Sequence, residues 1–107
     1  MSTFDKREEG FEQQFAHDEE LRFRAKARRD KLVGLWAAGL LGKSGTDAET
    51  YVASLIVADV AASEGDAVFR KIRGDFDGAG IAQSDHQIHR RMDELLAKAV
   101  EEIKAGK

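Results

Sequence analysis

Apolar residues return every three or four positions along most of the chain, the period of a helix buried on one side. Over residues 19–41, Leu21, Ala25, Leu32, Leu35, Trp36, Gly39 and Leu40 fall on or near one face. This predicts a long first helix whose charged first half, Asp30 included, is solvated, and whose second half meets a core. A second helix is expected over about 47–63. "TDAE", Thr46 to Glu49, has capping-box spacing, and Ala48, Tyr51, Val52, Leu55 and Ile56 follow at i, i+3, i+4, i+7, i+8. A third, over about 67–77, is capped by Asp66 and carries Val68, Phe69, Ile72 and Phe76 before the glycines of "DGAG". "SDHQ", Ser84 to Gln87, caps a fourth over about 85–105, with Ile88, Met92, Leu95, Leu96, Ala99 and Ile103 inward. Gly42, Gly45, Gly65, Gly78 and Gly80 fall between these stretches as stop signals. Zero proline and little β-branched alternation leave no candidate strand, so the fold class is all-α, a four-helix bundle.

Two features depart from this pattern. Asp59 continues the apolar face of the second helix, where a carboxylate reads first as a boundary residue or an ion-pair partner and second as a ligand or switch contact. The other is "FDKREEGFEQQFAHDEEL", residues 4 to 21. As a helix it would set Phe4, Phe11 and Phe15 within about 40° of one another, on a stripe rotated by roughly 60 to 80° from that of Leu21, Ala25, Leu32 and Trp36. Three rings and a central Gly10 offer little to offset the entropy of ordering, so residues 1–18 are expected to be frayed or disordered when free. The pattern leaves open an arm folded onto the bundle and a segment that folds on a partner.

With 107 residues, 35% charged and 42% hydrophobic, the chain is expected to form one domain with a thin core. A formal net charge of −3, with Asp18, Glu19, Glu20 and Asp30 offsetting the basic stretch Arg22 to Lys31, argues against nucleic acid. The absence of cysteine excludes disulfides and thiolate zinc sites, and fits a reducing compartment, the cytoplasm. "LVGLWAAGLL", residues 32 to 41, is half the roughly 20 residues that a bilayer requires, and the charges before it do not suit a signal peptide, so no membrane insertion is expected.

Candidate catalytic chemistry is sparse. His86 and His89 lie at i, i+3 near Asp85 and Asp93 with no third metal ligand, which favours a solvated, ion-paired face. No nucleophile and base pair stands out, and no enzyme is expected. "GLLGKSGT", Gly39 to Thr46, ends like a phosphate loop but has Ala37 where the first glycine belongs and follows a helix. What survives is a helix N-terminus whose amides, with Lys43, can hold a phosphate.

"FDKREEGFEQQFAHDEELRFRAKARRDKLVGLWAAGLLG" followed by "DVAASEGDAVFRKIRGD" resembles the zeta subunit family of alphaproteobacterial F-type ATP synthases, most clearly at "RRDKLVGLWAAGLLG" and "FRKIRGD". The resemblance implies a four-helix protein that inhibits ATP hydrolysis by the catalytic head. Residues 1–18 would be the inhibitory segment and 19–107 the bundle. In the family the segment enters an interface of a β subunit, its α neighbour and the γ shaft, and blocks hydrolytic rotation. Carried onto this chain, Phe4, Phe11 and Phe15 become the apolar anchors, and Asp5, Lys6, Arg7, Glu8 and Glu12 set register and on-rate. The resemblance also implies ADP or ATP as a regulatory ligand on the bundle, with no cofactor required, and a cytoplasmic protein peripheral to the inner membrane through the synthase. Candidate phosphate contacts are Arg28, Arg29 and Lys31, the loop residues Gly42, Lys43, Ser44 and Thr46, and the cluster of Arg70, Lys71 and Arg73. The alternative is a small adenine-nucleotide-responsive binding module with another partner.

Overall fold

The structure, a computed structural model, describes residues 19–62 and 65–106. The expectations for residues 1–18, and with them Phe4, Asp5, Lys6, Arg7, Glu8, Phe11, Glu12 and Phe15, lie outside the described residues. Four helices follow one another: α1 (Glu19–Leu40), α2 (Gly45–Ala61), α3 (Ala67–Ala79) and α4 (Asp85–Lys104). No strand occurs among the described residues. α1 packs on α2 and α4, and α3 closes the ring against the same two helices. This is the four-helix arrangement that the periodicity predicts.

The core is shared by all four helices: Val33, Ala37 and Ala38 from α1, Tyr51 and Leu55 from α2, Val68, Ile72 and Phe76 from α3, and Ile88, Met92 and Leu95 from α4. Trp36 meets Phe76 edge to face at 5.6 Å, joining α1 to α3 across the bundle.

The inward face of α1 differs from the expected stripe. Ala25, Asp30, Val33, Gly34, Ala37 and Ala38 are buried, whereas Leu35, Gly39 and Leu40 are exposed. Because α1 touches two neighbours, its inward face is broad and made of small residues that allow close approach. A Cβ on Gly34 would lie 2.9 Å from Val52 Cγ2 and 3.1 Å from Val52 Cα. The large leucines were therefore a misleading guide to this helix. Asp30, expected in solvent, is 1% exposed.

Helix ends follow local chemistry. Ser84 caps α4 through a capping box: Gln87 N–H donates to Ser84 Oγ (3.1 Å), and Ser84 N–H donates to Gln87 Oε1 (2.8 Å). The capping box expected at Thr46 does not form, because α2 begins at Gly45 with Ser44 as N-cap, and Thr46 is already helical. Asp66 stands at the N-cap of α3 without capping it, its carboxylate held instead by Arg70 Nη2 (2.6 Å). α3 runs through Gly78 and stops at Gly80, whose φ of 70° completes a Schellman turn. There Ile81 N–H donates to the Phe76 carbonyl at 2.9 Å and Gly80 N–H to that of Asp77 at 3.3 Å. The same pairing, Lys43 to Ala38 and Gly42 to Gly39, ends α1.

Candidate functional site

The phosphate candidates divide between the middle of α1 and a pocket beyond its C-terminal end. In the middle of α1, successive basic residues turn to different neighbours, since positions 28 and 29 are 100° apart on a helix. Arg28 Nη1 approaches Glu102 Oε1 of α4 at 3.6 Å, while Arg29, 13% exposed, is directed to α2. Lys31 is exposed and joins neither contact. Arg28, Arg29 and Lys31 therefore do not converge on one cationic site.

Arg29 belongs to a buried charge cluster in the seam between α1 and α2. Its Nε and Nη2 donate to Asp30 Oδ1 at 3.1 and 2.8 Å, and Nη2 stands 3.7 Å from Asp59 Oδ2. Lys26 Nζ is 3.1 Å from Asp59 Oδ1. That oxygen receives no well-aligned hydrogen bond, so the contact with Lys26 is ionic. Two cations face the two acids, which is how both are tolerated in a buried seam. Burial, followed by the neighbouring Asp59 carboxyl, pushes Asp30 up to about 7 against the opposing pull of Arg29. Burial also pushes Asp59 upward, but the neighbouring Asp30 carboxyl and the close cations Lys26 and Arg29 outweigh it and hold Asp59 below the usual carboxylate range. In its protonated form Asp30 can donate a hydrogen bond to the Asp59 carboxylate. The ion-pair reading of Asp59 describes this position.

Beyond the C-terminal end of α1, the turn that follows it and the middle of α3 bring Lys43 and Lys71 to one open pocket of about 400 Å³, with Leu41, Tyr51, Asp75, Gly78 and Ala79. Tyr51 donates its hydroxyl proton to Asp75 Oδ2 (2.8 Å), Lys71 Nζ donates to the same oxygen (3.3 Å), and Lys71 also lies over the Tyr51 ring at 5.4 Å. Burial and the adjacent Asp75 carboxylate raise the Tyr51 phenol above its ordinary value. Gly42, Ser44 and Thr46 lie exposed along the turn that carries Lys43 into the first turn of α2. The pocket thus gathers two lysines, a phenol and a carboxylate, a set able to receive an anion beside a hydrogen-bonding donor and acceptor.

The remaining cluster serves the fold. Arg70 is paired with Asp66, and Arg73 contacts Asp77, Asp85 and the Gln83 carbonyl. His89 stacks on Phe69 at 4.0 Å and 15°, a contact that their twenty-residue separation concealed, rather than joining the expected ion pairs. No group of three metal-binding side chains occurs among the described residues. No helix among them is long and apolar enough to cross a membrane.

A solved structure, determined by NMR in solution, is 36% identical to this chain with a TM-score of 0.69, covering 81% of this chain and 99% of its own. No curated protein matches. The family model described as ATPase inhibitor subunit zeta matches residues 1–102, which takes in the N-terminal segment and nearly all of the bundle. The chain belongs to the ATPase inhibitor subunit zeta family.

Proposed function

We propose that the protein regulates F-type ATP synthase by inhibiting ATP hydrolysis, with residues 1–18 as the part that enters the catalytic head. The observation that carries this reading is the extent of the family match, which begins at residue 1 and so includes the stretch bearing Phe4, Phe11 and Phe15. In this reading the segment folds on binding at an interface of α, β and γ subunits, its rings as anchors and its mixed charges fixing register. Rotation in the hydrolytic direction is then blocked by a wedge whose other end, the bundle, is too wide to follow. The protein performs no chemistry of its own and reaches the inner membrane only through the synthase.

The test is ATP hydrolysis by the cognate head, titrated with the full chain and with a chain lacking residues 1–18, both checked for helicity. Inhibition by the full chain alone is the expected result. Equal inhibition by the shortened chain would remove the segment from the mechanism.

A regulatory nucleotide is a further part of the reading, favoured by the meeting of Lys43 and Lys71 at one pocket. We assign ADP or ATP there, phosphates toward the lysines, rather than at Arg28, Arg29 and Lys31. An ADP titration followed by calorimetry should weaken several-fold in Lys43→Ala and Lys71→Ala and stay unchanged in Lys31→Ala. The reverse order would relocate the site.

A further inference from the structure

Of the three most exposed large apolar side chains among the described residues, Phe23 and Val60 line one groove, and Val57 stands one turn before Val60 on the same helix. Val57 and Val60 are each 66% exposed and Phe23 is 63% exposed, whereas Leu35, Leu40 and Leu96 are less exposed. Val57 and Val60 stand at i, i+3 on α2. Phe23 and Val60 line the same groove of about 260 Å³ between α1 and α2, whose other apolar walls are Ala27, Ile56 and Ala62 and whose base holds Lys26, Asp30 and Asp59. A solvated helix face gains nothing from valines, and a grouped apolar rim over a groove is a common mark of a contact surface.

Position in the chain says what the rim faces. α1 begins at Glu19, directly after the inhibitory segment, and Phe23 is one turn on, about 6 Å along the axis. The pairing of Lys26 with Asp59, and the closeness of Gly34 to Val52, make α2 antiparallel to α1, which brings Val57 and Val60 to the same end. A segment lodged inside the head therefore draws this end of the bundle against the head's outer surface. Leu35 and Leu40 lie toward the opposite end of α1.

We propose that the rim of Phe23, Val57 and Val60 is a second contact surface, seated on an apolar patch of the catalytic head beside the mouth that the segment enters. This rests on the inhibitor reading above. Exposed Arg22 and Arg24 flank Phe23, so the complementary patch has an acidic border there, which speeds encounter and orients the bundle. The segment supplies the block, and the rim lengthens its residence.

The experiment compares the full-length chain with its Phe23→Gln/Val57→Gln/Val60→Gln variant in hydrolysis assays on the cognate head. Glutamine retains helix propensity and adds no charge. Loss of the rim should raise the half-inhibiting concentration by about tenfold or more, chiefly through faster dissociation, with full inhibition still reached at saturation. The Val57→Gln/Val60→Gln pair, lying wholly on an exposed face, repeats the test if the melting curve of the triple variant shifts. A half-inhibiting concentration unchanged to within about twofold overturns the proposal while leaving the inhibitor reading intact. Tighter inhibition also overturns it, and would mean that the rim holds the chain's own segment in store. Failure of the unmodified chain to inhibit would overturn both.

Discussion

A carboxyl group at position 30 occupies a place where a bundle ordinarily puts a methyl, and its protonation is coupled to folding. Asp30 titrates near 7 in the folded chain, above its unfolded value of 3.8. Its contribution to stability is therefore fully present below about pH 4 and is lost as pH rises through 7. Asp59 has the opposite sign, since its depressed value gives stability that disappears as pH falls below the ordinary carboxylate range. Thermal melts should accordingly show a midpoint that declines from pH 5 to 8. In Asp30→Asn that decline should flatten, because the amide can donate to Asp59 and accept from Arg29 at every pH. A mutant as pH-sensitive as the parent would mean that Asp30 is not the titrating group. At Gly34 two residue-level effects compete. Alanine gains about 1 kcal/mol of helix propensity, but its Cβ meets Val52 backbone and side chain and costs about 1–3 kcal/mol by overpacking. Gly34→Ala should lower stability in urea unfolding, while Gly74→Ala, whose Cβ meets nothing within 4 Å, should raise it by about 0.5–1 kcal/mol. Equal effects at the two sites would contradict the close crossing of α1 and α2.

Among the elements, α3 and α4 were the most legible, because each buries a single face against the bundle: Val68, Ile72 and Phe76 in one, Ile88, Met92, Leu95 and Ala99 in the other. α1 was the least legible. Its inward face consists of alanines, a glycine, a valine and an aspartate, while Leu35 and Leu40 face water, so hydropathy carries no stripe to read. Caps divided in the same way. Ser84 and Gln87 form the box that their spacing announces, whereas at "TDAE" the helix starts one residue before the threonine. Ser84→Ala should therefore cost about 1 kcal/mol in denaturant unfolding and Thr46→Ala close to nothing. If Thr46→Ala were the costlier change, the start of α2 would have to be moved.

At the scale of the whole molecule, the described core draws on positions between 25 and 99, so removal of residues 1–18 should leave a single cooperative melt within a few degrees of the parent. A broad or collapsed transition would assign the segment a share of the fold. The candidate sites were partly readable at this scale. Lys43 and Lys71 were separately nameable as cations, but their meeting at one pocket depends on how α3 lies against α2, which no local spacing records. Likewise Asp59 stood out as a carboxylate on an apolar face, yet its partner Asp30 did not, since basic neighbours on both sides made it look solvated.

The placement of α1 between α2 and α4 also has a mechanical side. Its 22 residues form a rod roughly 33 Å long, flanked on both sides, and residues 1–18 precede it in the chain. If residues 1–18 act as proposed, torque from a turning shaft that grips them would arrive as a pull along the rod's axis. Two lateral seams then resist in shear over many turns at once, whereas a helix held at one end would peel away turn by turn. On the proposed reading the bundle is an anchor plate, and its resistance to such a pull resides in the seam that Arg29, Asp30 and Asp59 stitch together.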